Sequence, residues 1–361
     1  MFRIVRVFLL LAGGLAVQAA DKIVGGPYTI NVGPRSATVA WLVQSSEARL
    51  GTEPDKLAKV APVLRVEKVS YTGLEAGKTY YYQAFGQGEE GKGRFQTPPA
   101  GPVPFQFVVY GDTRSRHDVH ARVAQAIAKA EPDFVLHTGD LVADGTDSAQ
   151  WPVFFSTERD LLRKTAFFPS LGNHERNSRQ YYEFFDVQLP YYSFDWGNAH
   201  IAVLNTDLGN LPRSREVRDT YWKEELRWLE EDLARGRGAD FVFVIFHHPP
   251  FTAVKRRQGG DREVMQVVPL MEKYKVSAVL NGHDHNYQHH LKDGVRYIVT
   301  GGGGAPLYDV DAPLAGLTQK LERVEHYVGI QVNGKSAKIQ AFAVDGRVID
   351  TIDLKSRAEA R

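Results

Sequence analysis

The sequence predicts an α/β domain preceded by a smaller all-β one. Three observations carry this. Residues 22–98 hold alternating, β-branched and aromatic runs separated by turn residues, with no helical period of useful length. From Phe105 onward, short apolar runs alternate with stretches of helical spacing, the mark of an α/β domain with buried sheets. Between the two lies Pro98-Pro99-Ala100-Gly101-Pro102, which reads as a stiff linker and sets the domain boundary.

In the first part, Tyr28–Val32, Ala37–Val43 and Lys78–Ala84 read as strands, with turns at Gly33-Pro34, Gly51 and Glu75-Ala76-Gly77. In the second, Phe105–Tyr110 is a strand, Val119, Val123 and Ile127 fall at helical spacing, and Phe134–Leu136 is a strand again. Trp222, Leu226, Leu229 and Leu233 mark a long helix that Gly236 stops. Phe241–Phe246 is a continuous apolar strand. Tyr297–Thr300, Val328–Val332, Ala337–Phe342 and Val348–Ile352 are strands without intervening helices, so the chain closes on an antiparallel or mixed extension. The large domain is placed at 103–354.

The 361 residues leave room for about two domains of 100–200 residues each. At 43% hydrophobic and 24% charged, the chain has ordinary globular composition. A net charge of +1 shows no nucleic-acid footprint. Twelve His and no Cys exclude disulfides, thiolate zinc sites, iron–sulfur clusters and a Cys nucleophile. Any metal must be held by nitrogen and oxygen.

Residues 1–19 read as a signal peptide. Arg3 and Arg6 precede the apolar run Val7–Val17, and small residues lead to cleavage after Ala19, with Ala20 the second choice. The run is too short to span about 30 Å of hydrocarbon as a helix. An exported chain, periplasmic or secreted, is expected, with one net negative charge once both arginines are removed and no membrane span in the mature part.

Each strand of the large domain runs into metal-type ligands. Phe105–Tyr110 leads to Gly111-Asp112-Thr113-Arg114, and Phe134–Leu136 to His137-Thr138-Gly139-Asp140. Phe167–Leu171 leads to Gly172-Asn173-His174-Glu175, and Phe241–Phe246 to His247-His248-Pro249-Pro250. Ser277–Leu280 leads to Asn281-Gly282-His283-Asp284-His285. Open α/β sheets bind ligands beyond the carboxyl ends of their strands. Five such ends side by side would converge two carboxylates, an amide and several imidazoles. A glycine before a ligand is read as the tight turn that aims it. The donor mixture suits Zn, Mn, Fe or Ni. Two such ions about 3.5–4 Å apart clamp an in-line displacement at phosphorus, and the anionic bridge they need falls naturally to Asp140. A metal-bound hydroxide would be the nucleophile.

The ordered set Gly-Asp, Gly-Asp, Gly-Asn-His-Glu, His-x-Pro and Gly-His-x-His resembles the calcineurin-like metallophosphoesterase superfamily. The form of Gly282–Tyr287, and the β segment with its turn and strand at Tyr71–Tyr82, are similar to the purple acid phosphatase branch with its fibronectin type III-like domain. The resemblance implies a four-layer αββα sandwich at 103–354 preceded by a fibronectin type III-like β-sandwich at 22–98. It implies two transition-metal ions, of Fe, Zn or Mn. Asp112 and His285 would serve metal 1, Asp140 would bridge, and Asn173, His247 and His283 would serve metal 2. His174 would contact phosphate or protonate the leaving oxygen.

The sequence departs from the family at metal 1. The superfamily's Asp-x-His has Arg114 in the His position, and the Tyr that purple acid phosphatases place three residues after the bridging Asp is Ala143. Three readings stand. Metal 1 binds weakly; another side chain, such as His117 or His120, fills in; or Arg114 supplies part of the charge and grips phosphate as a bidentate donor. The favoured reading is a weak metal 1 with Arg114 on phosphate.

Other residues receive quieter readings. His248 is a candidate support for its neighbour. His137 is a core histidine, His289 and His290 surface or supporting residues, and His200 and His326 have no role. Gly301–Gly304 reads as close backbone approach beneath the site. Lys255-Arg256-Arg257 is a solvated loop or an anion-steering patch. Together these readings give an exported metal-dependent phosphoesterase, monoesters favoured. The alternatives are a phosphodiesterase for cyclic nucleotides or nucleotide diesters, and an inactive secreted binding module.

Overall fold

Runs such as Phe241–Phe246, apolar at every position, have no solvent side and must be covered on both faces. The computed structural model satisfies that demand with two stacked sheets. It describes residues 21–86, 88–211, 214–259 and 262–358; the expected signal peptide at 1–19 lies outside them.

The elements run in chain order as β1 (Lys22–Gly33), β2 (Ser36–Leu50), β3 (Lys59–Thr72), β4 (Thr79–Gln83) and β5 (Lys92–Gln96). Next come β6 (Phe105–Tyr110), α1 (His117–Lys129), β7 (Phe134–His137), α2 (Gln150–Thr157), α3 (Arg159–Leu162), β8 (Ala166–Pro169) and α4 (Arg179–Phe185). Then follow β9 (Tyr192–Trp196), β10 (Ala199–Val203), α5 (Arg215–Arg235), β11 (Phe241–Phe246), α6 (Val268–Lys273) and β12 (Ala278–Asn281). The chain closes with β13 (Tyr287–Lys292), β14 (Val295–Thr300), β15 (Thr318–Glu322), β16 (His326–Asn333), β17 (Ser336–Ala343) and β18 (Val348–Lys355).

One sheet has nine strands in the order β18-β17-β16-β6-β7-β8-β1-β2-β3, the other seven in the order β15-β13-β14-β12-β11-β10-β9. The middle of each is parallel: β6-β7-β8 in one, β10-β11-β12-β14 in the other. Of the four strands expected in the closing extension, β16, β17 and β18 form an antiparallel meander docked through β16 on β6, whereas Tyr297–Thr300 lies in β14, parallel to β12 in the other sheet.

Three apolar clusters show the layering. Phe107, Phe134, Ile201, Phe243 and Ile330 fill the space between the sheets. Val108 and Tyr110 face outward under Val123 of α1, Phe154 of α2 and Phe185 of α4. Val242 and Val244 face outward under Leu229 of α5 and Met271 of α6. Alternate residues of one strand thus serve different cores, the period-2 rule of a pleated sheet. The result is the expected αββα order. Each fully buried aromatic side chain contributes about 1.5–3 kcal/mol.

The separate β-sandwich expected at 22–98 is not how those residues are arranged. β1 pairs in parallel with β8 at Thr29 and Ala166, so β1, β2 and β3 continue the nine-stranded sheet. The cause is apolar burial: Tyr28 stacks on Phe155 of α2 at 4.5 Å, and Ile30 and Leu42 sit in the same cluster as α1 and α4. The β4–β5 ribbon stands apart as a two-stranded sheet tied to the chain before β8, with Arg94 N–H and Tyr82 O–H both donating to the Arg163 carbonyl. Thr97 and Pro98, at the start of the expected linker, are buried.

Candidate metal centre

Five strand ends meet at one edge of the two sheets. Asp112 follows β6, Asp140 follows β7, Asn173 and His174 follow β8, His247 follows β11, and His283 and His285 follow β12. Asp112, Asp140, His247 and His285 are buried; Asn173, His174 and His283 are half-buried. Asp112, Asp140 and His283 adopt φ of +60°, +60° and +69°. Left-handed backbone at non-glycine residues is costly and concentrates where a site over-determines it.

The glycines ahead of these ligands act differently from the expected tight turns. Only Gly139, at φ +97°, needs left-handed freedom. The others are needed for lack of room: a Cβ on Gly111 would lie 1.9 Å from Thr138 Oγ1, one on Gly172 2.4 Å from Asp140 Oδ1, and one on Gly282 2.5 Å from Asp112 Oδ2. The Gly301–Gly304 run behaves as expected, passing beneath the site with a Gly301 Cβ position 2.8 Å from Asp112 Oδ2.

The metal 2 residues converge closely. His247 Nε2 lies 3.0 Å from Asn173 Oδ1, 3.1 Å from His283 Nδ1 and 3.4 Å from Asp140 Oδ1. Donors about 2.0–2.2 Å from one ion sit about 3.0–3.5 Å from each other at octahedral or tetrahedral angles. His247 Nε2 thus stands at ligand-pair spacing from each of the other three, and Asp112, Asp140 and His247 form a second group of possible ligands for one ion. His247 Nδ1 donates to the Thr138 carbonyl at 2.8 Å, which leaves Nε2 bare to ligate. Burial pushes the His247 imidazole down to about 3 and His283 well below its ordinary value, so both rings are neutral.

The metal 1 residues fit less completely. His285 Nε2 is 3.3 Å from Asp112 Oδ1, and His285 Nδ1 donates to the Pro306 carbonyl at 2.7 Å. Burial, which lowers His285 to about 4, keeps it neutral. Burial first, and then Asp140, push Asp112 well above the carboxylate range: the pair of buried acids calls for a cation. The fixed cation beside Asp140 is Arg114, whose Nε lies 3.5 Å from Asp140 Oδ2 and is buried without a hydrogen-bond partner. The proposed replacement ligands do not arrive. His120 is turned away under α1, its Nε2 2.6 Å from Glu158 Oε1, and His117 is exposed on the first turn of that helix.

His174 sits at the rim. Its Nδ1 faces the Ala143 carbonyl at 2.7 Å and its Nε2 lies 3.9 Å from Asp140 Oδ2. His248 belongs to the cluster too: His247, His248 and His283 form one group of possible ligands, and Thr206 Oγ1 holds His248 Nδ1 at 3.0 Å. His137 is the expected core histidine, between Tyr110 and Thr113. His289 and His290 are buried on β13 rather than at the surface; His290 bonds Gln288, which reaches Asp284.

Three supports were not legible as such. Glu175 is buried and accepts the backbone N–H groups of Asp140, Leu141, Val142 and Gly172, clamping the Asp140 loop. Tyr308 stacks on His285 at 4.1 Å. Arg257, read as part of a solvated run, turns inward and donates to the His283 carbonyl and to Asp284 Oδ1, both at 2.9 Å. Of these, only Glu175 had a sequence signal, its place in Gly-Asn-His-Glu.

Residues 105–287 match the calcineurin-like phosphoesterase family. The chain is 27% identical over 244 residues to purple acid phosphatase 22 of Arabidopsis thaliana, covering 62% of this chain and 53% of that protein. It is 27% identical over 242 residues to human tartrate-resistant acid phosphatase type 5, covering 55% and 72%. The chain thus spans about half the length of the plant relative. Its fold is similar to that of a purple acid phosphatase from yellow lupin (Lupinus luteus) seeds, with a TM-score of 0.70 at 15% identity over 91% of this chain and 74% of that one. It is also similar to PhoD, with a TM-score of 0.60 at 15% identity over 91% and 88%.

Proposed function

The chain belongs to the calcineurin-like phosphoesterase family, and from that premise we propose that it is a metal-dependent phosphoester hydrolase that prefers monoesters. The observation that carries the reading is the convergence of Asp140, Asn173, His247 and His283 with donor atoms 3.0–3.4 Å apart around His247. An ion held there supplies Lewis acidity and lowers the pKa of bound water toward about 7. The relatives carry phosphatase names, which agrees with this chemistry.

The protein's own groups have distinct tasks. The Asn173 side chain sits between the ion site and the cleft, with its backbone carbonyl held by Asn210 at 3.0 Å. His174 meets the leaving oxygen. The Ala143 carbonyl accepts only from a protonated Nδ1, so Nε2 is the nitrogen that gains and gives a proton. Arg114 faces the phosphoryl group with a planar fork suited to two oxygens, which favours the dianionic end of a monoester. A cleft of about 690 Å³, lined by Asn173, Asp207, Asn210, Arg215 and His248, has room for a leaving group. Residues 1–19 support export to the periplasm or medium as part of the same reading; among the described residues no helix is long and apolar enough to cross a membrane.

The test is turnover of an aryl monophosphate and a bis-aryl phosphate by the full chain supplied with Mn, Zn or Fe. Faster monoester turnover, lost on chelation and in Asn173→Ala, is expected. Faster diester turnover would replace the reading with the phosphodiesterase. No turnover with any ion would leave the inactive binding module.

A further inference from the structure

We propose that this protein retains one metal ion per chain, at Asp140, Asn173, His247 and His283, and that the Arg114 guanidinium takes the place of the second ion's charge. The inference deepens the hydrolase reading and rests on it for an ion being bound at all.

The two halves of the centre are unequal. At the metal 2 position Asp140, Asn173 and His283 each present a donor 3.0–3.4 Å from His247 Nε2, all from strand ends. The metal 1 position has Asp112 and His285, 3.3 Å apart, and a share of Asp140, which with Asp112 and His247 forms a second group of possible ligands. Its fourth neighbour is a permanent cation. Arg114 cannot give up its proton in a protein, so it repels an incoming divalent ion at every working pH. Its side chain is 18% exposed and its Nε lies 3.5 Å from Asp140 Oδ2, the oxygen opposite the one nearest His247. That Nε is buried and makes no hydrogen bond, so its interaction with Asp140 is one of charge. No other described side chain rescues the position. His120 is committed to Glu158, and Ala143, three residues after Asp140, has no donor atom on its side chain. Tyr308 covers His285 with its ring face, stacked at 4.1 Å, rather than presenting its hydroxyl.

The ion and the guanidinium together bring three positive charges, and Asp112 and Asp140 leave one of them for the substrate. One divalent ion and one guanidinium oppose Asp112, Asp140 and an arriving phosphate. The fork of Arg114 remains available to phosphoryl oxygens, which a second ion would otherwise contact.

The full chain is loaded with excess Mn(II), freed of loose metal by gel filtration, and its bound equivalents are measured by elemental analysis. About one equivalent is expected, with an isolated Mn(II) signal by electron paramagnetic resonance. Arg114→His, which removes the fixed charge and adds a donor, is expected to raise the count to about two. His283→Ala is expected to empty the wild-type protein and to leave about one ion in the Arg114→His background. Two equivalents in the wild type, or a spin-coupled Mn(II) pair, overturn the proposal without any variant. A folded Arg114→His that stays at one equivalent overturns it too. Failure of the hydrolase reading looks different: one tight ion, and no turnover.

Discussion

Glu175 Oε2 accepts a hydrogen bond from the backbone N–H of Asp140 at 2.9 Å, so a buried carboxylate from one strand end fixes the loop that carries the central acid of another. The same oxygen takes Gly172 N–H at 2.7 Å, and Oε1 takes Leu141 and Val142 N–H at 2.7 and 3.3 Å. Burial and the nearby Asp140 push Glu175 up to about 8, while the N–H groups of Asp140, Gly172 and Val142 pull it back. Each oxygen is needed as an acceptor twice over.

Glu175→Gln tests this clamp. An amide keeps the shape but offers one acceptor oxygen, and its NH₂ confronts two backbone N–H groups. A buried donor left unsatisfied costs about 1–3 kcal/mol. A stability loss of about 2–4 kcal/mol is expected from denaturant midpoints. Metal affinity should fall at least ~10-fold, the usual scale for removing a ligand's support. A variant with the wild-type midpoint and metal affinity would show that the clamp is idle.

His174 is predicted to matter in proportion to how badly the leaving group needs a proton. Its Nδ1 is fixed on the Ala143 carbonyl, so its Nε2 is the working atom. His174→Asn should lower kcat by about 10²–10⁴ for alkyl phosphates, whose alkoxide is a poor leaving group, and by far less for activated aryl phosphates. Metal content should not change. The check is the slope of log kcat against leaving-group pKa, steeper in the variant than in the wild type. Parallel slopes would move His174 to phosphate binding alone.

Much of this site was legible because its signals are local. A wholly apolar hexamer such as Phe241–Phe246 has one reading, a strand covered on both faces, and the observed β11 has those bounds. The ligands stand next to such strands, so finding the strands finds the ligands. Long-range pairing left no such mark. Alternation at Tyr28–Val32 reports a strand but not its neighbour, and only the fold places Thr29 beside Ala166. His120 shows the cost of ignoring periodicity. It lies on the face of α1 that buries Val119, Val123 and Ile127, and the same spacing that predicted the helix assigns it to the core. Tyr308 reaches His285 from a loop without periodicity, so nothing in its neighbours announces the stack.

His200 was assigned no role, yet its surroundings predict a pH-dependent stability. Its Nδ1 lies 2.7 Å from Asp195 Oδ1 and its Nε2 2.8 Å from Asp232 Oδ2, bridging β9 and α5. Arg235 and Ser193 hold Asp232 from the other side. Burial by itself would lower the imidazole, but the two carboxylates outweigh it and raise His200 to about 9. Because the folded value lies above the ordinary 6.5, the imidazolium's contribution is complete below pH 6.5 and is lost as the pH rises through about 9. The contribution at stake is on the order of 3 kcal/mol. The ring also touches the end of α5, where a Cβ on Gly236 would lie 2.6 Å from His200 Cδ2, and a cation there favours the helix dipole. Urea midpoints of the wild type are therefore expected to fall between pH 6.5 and 10. His200→Asn should be the less stable protein at pH 6, with the gap narrowing as the pH rises past 9. A gap that stays constant across that range would mean that His200 is neutral in the folded protein and that the two aspartates hold it by ordinary hydrogen bonds alone.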